Sequence, residues 1–324
     1  MFRFIKFLLP ILVASSLSFG KLAVAETYPN RPVNLIVGMA PGGANDTIAR
    51  LIASELQERL GTAFIVENRP GANSTIATAQ VARAKPDGHT LMLVISSHVT
   101  NTLLYPDLDY ELSDFEPVTV IADTPFVLVA NRDFEPENVQ EFVELAKSMD
   151  VGAIDFGTPG MGSTQHIAME LMDLVAGTKM NHVPYRGGAP AQVDLLAGVI
   201  PVIFATPTQS LPHIKNGELK PLGVTSNKRI EQLPDTPTFA ESGLDGYEAD
   251  VWFGIVAPKG TPEEITTFLN EEINNIIAQE SVQTKLVEMG LYPVGNTPEE
   301  FQNLLDQEYK KWSEVIEKAN IELQ

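Results

Sequence analysis

The chain has 324 residues, 22 Lys and Arg against 42 Asp and Glu, a formal net charge of −20 at pH 7 and no cysteine. At roughly 100–200 residues per domain this length predicts two domains, each with its own core. The acidity excludes nucleic acid and anionic membrane surfaces as natural partners, and the lack of cysteine excludes disulfides, thiolate metal sites, a Cys nucleophile and lipid attachment at cysteine.

Residues 1–25 read as a secretory signal peptide, with Arg3 and Lys6 in a basic head, an apolar run from Phe7 to Leu17, and Ala23-Val24-Ala25 as a small-x-small cleavage site. The run is short of the roughly 20 apolar residues a spanning helix needs, so the mature chain is expected to begin at Glu26 and to be soluble. Losing Arg3, Lys6 and Lys21 leaves 19 basic against 42 acidic side chains. That field repels a small anion at long range. A carboxylate site would therefore have to act at short range, through backbone N–H and hydroxyl donors in a sheltered cleft.

From Glu26 short apolar runs alternate with amphipathic patterns, which predicts α/β architecture with largely parallel sheets. Strands are expected at Val33 to Val37, Phe64 to Glu67, Thr90 to Ile95 and Val118 to Ile121. Between them come a helix ending before Gly61 and another beginning near Asn73-Ser74. A second series of similar design follows at Phe126 to Ala130, Ala153 to Phe156, His182-Val183, Val199 to Phe204 and Leu222 to Thr225. Its best-marked helix has Ser163 or Thr164 as cap and Gly177 beyond its last turn. After a Pro- and Gly-rich return at Pro234 to Gly246 comes the apolar run Val251 to Val256. Two closing helices both open with Thr-Pro-Glu-Glu, at Thr261 and Thr297, the pattern of a capping Thr, Pro at N1 and Glu at N3.

The connection Gly38 to Asp46 carries the first functional signal. A strand passing through Pro41-Gly42-Gly43 into a helix aims the helix's unpaired N–H groups into the turn, a place to hold an anion. Asn45 or Asp46 is expected as the N-cap; a tight strand-to-helix turn with no ligand reads equally well. Four tests for other chemistry fail. Ala44 and Asn45 replace the Lys and Ser/Thr of a phosphate loop, Gln165 stands where the third Gly of a dinucleotide run belongs, there is no Gly-x-Ser-x-Gly elbow, and the five His form no i, i+4 pair. No cofactor or metal is expected.

What remains is a set of donor-rich turns, each after a strand: Gly71 to Thr75, Ser96-Ser97-His98, Gly157 to Thr164, Tyr185-Arg186-Gly187-Gly188 and Ala205-Thr206. Ligands of parallel α/β sheets bind beyond the carboxyl ends of strands, so these turns describe a cleft closing on a small polar molecule. Each has a plainer role open to it. Ser163 and Thr164 are also N-caps, His98 also a packed histidine, Arg186 also the partner of a structural acid, and Asp46 a cap rather than a ligand group.

Several motifs in order, Tyr28-Pro29-x-Arg31-Pro32, Pro41-Gly42-Gly43 with Asp46 and Arg50, Val66 to Ala72, Pro86 to Leu91, His182-Val183-Pro184-Tyr185 and Trp252 to Pro258, resemble the periplasmic substrate-binding proteins of tripartite tricarboxylate transporters, the Bug family. The resemblance runs from about Tyr28 to the C-terminal helices. It implies a two-domain periplasmic-binding-protein fold of type II-like form, each domain a mainly parallel sheet flanked by helices with the ligand cleft between them. Crossings are expected near Asp123-Thr124 and Gly246 to Asp250, giving 26–124 plus 249–324 and 125–248 as the two domains. It further implies a non-enzymatic periplasmic receptor, a monomer, that delivers a small organic anion to a permease of one large and one small integral subunit. An importer of the ATP-binding-cassette kind or a sensor-linked binding protein is the alternative, and a hydrolase using Ser163 a remote one. By the resemblance the turn Ala40, Pro41, Gly42, Gly43 grips a carboxylate, with Asn45 beside it. Asn73, Ser74, Ser97, His98, Gly160, Met161, Gly162, Ser163, Thr164, Tyr185, Arg186, Gly187 and Thr206 surround the same cleft. Ala205 departs from the acidic residue such proteins often carry, which disfavours amino-acid ligands.

Overall fold

The structure is a computed structural model that describes residues 28–321; the expected signal peptide and its cleavage site lie outside the described residues. In chain order the first elements are β1 (Val33–Val37), α1 (Ala44–Leu60), β2 (Phe64–Asn68), α2 (Thr75–Ala82), β3 (Thr90–Ile95), α3 (Ser97–Leu104) and β4 (Phe115–Pro125). There follow β5 (Val127–Asn131), α4 (Val139–Ser148), β6 (Asp155–Thr158), α5 (Thr164–Ala176), β7 (Asn181–Pro184), α6 (Gly188–Leu196), β8 (Val202–Ala205), α7 (Pro207–Lys215) and β9 (Leu219–Val224). The chain closes with β10 (Asp250–Pro258), α8 (Glu263–Ile277), α9 (Glu280–Glu288), β11 (Tyr292–Pro293) and α10 (Pro298–Ala319).

Two sheets result, of order β11-β4-β10-β3-β1-β2 and β7-β6-β8-β5-β9. The expected parallel runs are present as β3-β1-β2 and β7-β6-β8. Each sheet is nevertheless mixed, because β10 lies antiparallel between β3 and β4, and β5 antiparallel between β8 and β9. Side chains of β1 alternate between two buried layers. Leu35 and Val37 pack with α1 through Ile48, Ile52 and Leu56, and Ile36 with α2 through Ala77 and Val81. Both faces are covered, so both must be apolar.

Register fixes where the carboxyl ends of the strands lie. Phe253 of β10 is opposite both Ile95, the last residue of β3, and Ala122, and Asp250 is opposite Pro125, the last residue of β4. Two residues later Val127 opens β5 opposite Ala205, the last residue of β8. The carboxyl edges of both parallel runs therefore adjoin the same crossing. The Thr225 hydroxyl ties that crossing together, accepting from Phe126 N–H at 2.8 Å and donating to the Ala249 carbonyl at 2.8 Å. Helix α10 straps the two halves, packing on α3 and β4 of one and α5 of the other. No helix among the described residues is long and apolar enough to cross a membrane.

Several local expectations need correction. Helix α1 starts at Ala44 with Gly43, not Asn45 or Asp46, in the cap position, whereas α2 begins where expected, at Thr75 with Ser74 in the cap position, after a short 3-10 turn at Ala72–Ser74. Ser97 and His98 are not in a turn but in the first turn of α3, both buried. The capping pattern forms at Thr297, where Glu300 N–H donates to Thr297 Oγ1 (3.1 Å) and Thr297 N–H to Glu300 Oε2 (2.8 Å). At Thr261 it does not: the hydroxyl donates to the Pro258 carbonyl at 2.7 Å, and the helix starts two residues on. The strand expected from Val199 begins only at Val202, since Pro201 has no N–H for a ladder and Val199 is exposed in the preceding turn.

At the crossing, Asp123, Glu248 and Asp250 line a cavity of about 420 Å³ with Trp252 and Lys311. Burial, then the neighbouring carboxylates, push Asp250 up to about 7; burial, then Glu248, push Asp123 up to about 6. The folded state therefore binds protons that the unfolded chain has released above pH 4. The stabilisation is complete below that value and is lost as pH rises through 6 to 7. Asp250→Asn, which fixes the neutral form, is expected to raise the melting temperature by a few degrees at pH 7.5 and leave it unchanged at pH 4. A lower melting temperature at pH 7.5 would show that the ionised carboxylate stabilises the crossing.

Candidate functional site

The first half of the site is built at the carboxyl ends of β1 and β3. After β1 the chain is turned by Gly42 at φ 88°, a conformation natural only to glycine. Asp46 reaches back to accept the Gly42 N–H at 3.0 Å, so that amide is not free, contrary to the simplest reading of a Pro-Gly-Gly turn. Arg50 holds Asp46 in turn, at 3.0 Å from Nε, and the Arg50 hydrogen bond is the main reason the Asp46 carboxyl lies low, at about 2. Arg50 also donates to Asn68 Oδ1, whose amide donates to the Met39 carbonyl, both at 3.1 Å. The turn is thus braced from α1 and β2, and the Asp46 charge beside it is balanced by a guanidinium. Ala40, Pro41, Gly42 and Gly43 are exposed. The amides that open α1 have no carbonyl one turn earlier to donate to.

Beside this turn Ala72, Asn73 and Ser74 follow one another at φ 43°, 50° and 74°. Left-handed backbone at three successive non-glycine residues is strained, by about 1–3 kcal/mol each, and persists only where the surroundings over-determine it. The Thr75 and Thr78 hydroxyls hold the Ala72 and Ser74 carbonyls, and Asn101 of α3 holds Asn73 between them. Its amide donates to the Asn73 carbonyl at 2.8 Å, and its Oδ1 accepts from the Asn73 amide at 2.8 Å. Below, Gly38 leaves room that a β-carbon would take from the Ser74 side chain, at 2.4 Å. Asn45, Ser74, Ser97, His98 and Asn101 line a small recess here, floored by apolar residues of β3. His98 contributes a neutral ring: burial pushes it down to about 4, it packs edge-on to Phe115, and neither nitrogen has a partner among the described residues.

The second half lies at the carboxyl ends of β6, β7 and β8. Gly160 and Gly162 take φ 149° and 73°, Met161 between them is exposed, and Ser163 Oγ accepts the His166 N–H at 3.3 Å as a helix cap. The Thr164 hydroxyl donates to Gln165 Oε1 at 3.1 Å. The Tyr185 to Gly187 loop is pinned to this one by Tyr185 N–H to the Thr158 carbonyl and Gly187 N–H to the Pro159 carbonyl, both 2.9 Å. The Tyr185 hydroxyl turns away to Asp194 at 2.8 Å. Arg186 is exposed and makes no ion pair among the described residues. Thr206 stands at the start of α7, its N–H 3.4 Å from Gln209 Oε1.

The expected residues thus gather into two groups, one per sheet, on the two edges that adjoin the crossing. No hydrogen bond or ion pair among the described residues runs from residues 38–101 to residues 158–209. Asn101, Asn68, Arg50 and the histidines behind Gly162 escaped sequence reasoning as parts of the site. Asn101, Asn68 and His182 act on loops 24 to 29 residues away, which no local pattern marks, whereas Arg50 on Asp46 and His166 on Gly162 sit four residues from their partners, a spacing the sequence shows without saying which groups pair.

Two sheets joined by adjacent crossings, with donor-rich loops on the carboxyl edges that adjoin them, define the class of periplasmic binding proteins. Residues 48–321 match the model of the tripartite tricarboxylate transporter family receptor, TctC, and the chain belongs to that family of periplasmic solute-binding receptors. It is 35% identical to protein BugT of Bordetella pertussis over 302 residues, 92% of each chain. Among solved structures it is similar to Rpa4515 of R. palustris with adipate (TM-score 0.82, 36% identity, 91% of this chain and 99% of that one). It is also similar to MatC of Rhodopseudomonas palustris with bound malate (TM-score 0.78, 31% identity, 89% and 100%).

Proposed function

We propose that this receptor captures a small organic carboxylate, a di- or tricarboxylate or an aromatic acid, between its two loop groups and hands it to a permease of one large and one small integral subunit. The observation that carries this reading is the convergence of both carboxyl edges on one crossing, each edge presenting glycine turns and the opening amides of a helix. Arg186, without an ion-pair partner among the described residues of an acidic protein, adds a bidentate donor for a carboxylate. Relatives with adipate and malate bound support the ligand class. Each sheet with its helices forms one domain, 26–124 plus 249–324 and 125–248, and closure is a hinge motion at the crossing. The protein acts as a monomer, released into the periplasm by cleavage after Ala25. It is a binder rather than an enzyme. Ser163 Oγ is engaged as a cap, and the Nδ1 of nearby His166 is taken by the Gly162 amide at 3.2 Å, so that nitrogen does not serve Ser163 as a base.

A thermal-shift panel tests the reading. Adipate, malate, citrate or benzoate at millimolar concentration is expected to raise the melting temperature by several degrees, since ligand at 100 times its Kd adds about 2.7 kcal/mol. A shift with sugars or divalent cations and with none of the acids would overturn it.

A further inference from the structure

Behind the loop Gly160 to Thr164 lies a stack of three rings from three elements, Phe156 and His166 buried and His182 half-buried. His166 of α5 and His182 of β7 stack with centroids 3.9 Å apart and planes 13° from parallel, and Phe156 of β6 lies 5.1 Å from His182 on a similar tilt. Both imidazoles have specific polar contacts. His166 Nδ1 accepts the Gly162 N–H at 3.2 Å, which fixes its tautomer, since a backbone amide can only donate. The remaining ring N–H, on Nε2, points toward Glu170 Oε1 at 3.7 Å, and Glu170 is held by Lys179 at 2.7 Å. His182 Nε2 is 2.6 Å from the Thr158 hydroxyl, which itself bonds both the N–H and the carbonyl of Gly160 at 3.2 Å.

We propose that His166 and His182 are positioning residues of the ligand site, a stacked neutral pair that sets the backbone of Gly160 to Ser163 and, through Thr158, the adjoining loop Tyr185 to Gly187. The inference rests on the carboxylate-cleft reading of those loops. Its physical content is that Gly162, at φ 73° and buried, has an amide that no backbone carbonyl takes. A buried unpaired amide is costly; an imidazole acceptor satisfies it, and the second ring keeps the first in plane. Burial first, then His182 and Lys179 for His166 and Lys179 for His182, push the two groups down to about 3 and 4. The acceptor therefore persists through the neutral range. Because Tyr185 and Gly187 donate to the carbonyls of Thr158 and Pro159, one anchoring point orders both loops of this half.

The test compares His166→Asn, whose Oδ1 replaces the Nδ1 acceptor, with His166→Phe, which keeps the stacked ring and removes the acceptor. Hydrogen exchange of the 158–166 segment is followed together with adipate and malate affinity of the full mature chain. In His166→Phe the Gly162 amide is expected to exchange at least about tenfold faster and acid affinity to fall about tenfold or more, while His166→Asn stays within about threefold of wild type in both. Wild-type exchange in His166→Phe, or equal loss in both variants, would overturn the proposal, the second by marking a role in ring packing alone. Wild-type protein that binds neither acid, nor any other member of the panel, while the two variants differ in exchange as expected, would overturn the carboxylate reading and support the loop assignment.

Discussion

Gly43→Phe is expected to leave the melting temperature of the protein within a degree or two of wild type and to weaken carboxylate binding at least about 100-fold, about 2.7 kcal/mol. The two effects separate because Gly43 is glycine for what lies above it, not for its backbone. At φ −84° and ψ 176° it is in ordinary extended conformation, and a β-carbon there meets nothing nearer than the Ala40 carbonyl at 4.0 Å. A ring on Gly43 stands over the opening amides of α1, in the space the proposed carboxylate would take. Its neighbour behaves in the opposite way. Gly42 needs φ 88°, so Gly42→Ala costs stability by about 1–2 kcal/mol even though open space surrounds it. Calorimetric titration with the acid that gives the largest thermal shift, beside thermal melts of both variants, reads the contrast. Unchanged affinity in Gly43→Phe would remove this turn from the site.

Asn101→Leu is expected to lower affinity about tenfold to 100-fold and to destabilise the chain by about 1–3 kcal/mol. Leucine is close in size but cannot hold the Asn73 carbonyl or accept from its amide, and the three left-handed residues Ala72 to Ser74 have no other specific restraint from α3. Released, the turn relaxes toward right-handed backbone and withdraws Ser74 from the recess beside Asn45 and Ser97. Asn73→Gly in the same background separates strain from contact. Glycine accepts φ 50° without cost, so it should recover stability in Asn101→Leu without recovering affinity. A double variant that regains neither would mean that Asn101 supports the core of α3 and not the turn.

Strand cores and helix ends were the most legible parts of the sequence. Val33–Val37 and Thr90–Ile95 have the boundaries read from their apolar runs, and Ser163 with Gly177, and Thr297 with Glu300, bound their helices as capping chemistry requires. These signals are local, because a cap or an apolar run is recognised within a few residues. Thr261 shows the limit of the same logic. An identical Thr-Pro-Glu-Glu reads as a cap, yet here the Pro258 carbonyl competes for the hydroxyl at the end of β10 and wins. Antiparallel β10 and β5 were equally hidden, since a strand buried on both faces reads as one apolar run whichever way it points.

The sequence by itself determined the α/β class, the family, and the loops that carry glycines and hydroxyls at strand ends, because each depends on residue types close together in the chain. Only the tertiary structure decided which donors are free and which are spent. Asp46 takes the Gly42 amide, Asn101 holds Asn73 and His166 takes the Gly162 amide, over separations from 4 to 28 residues, while Arg186 is left without an ion pair among the described residues. The physical reason is that a turn's sequence fixes which φ and ψ it can adopt, whereas the partner that holds it there, and the amides left over for a ligand, depend on what folding brings against it.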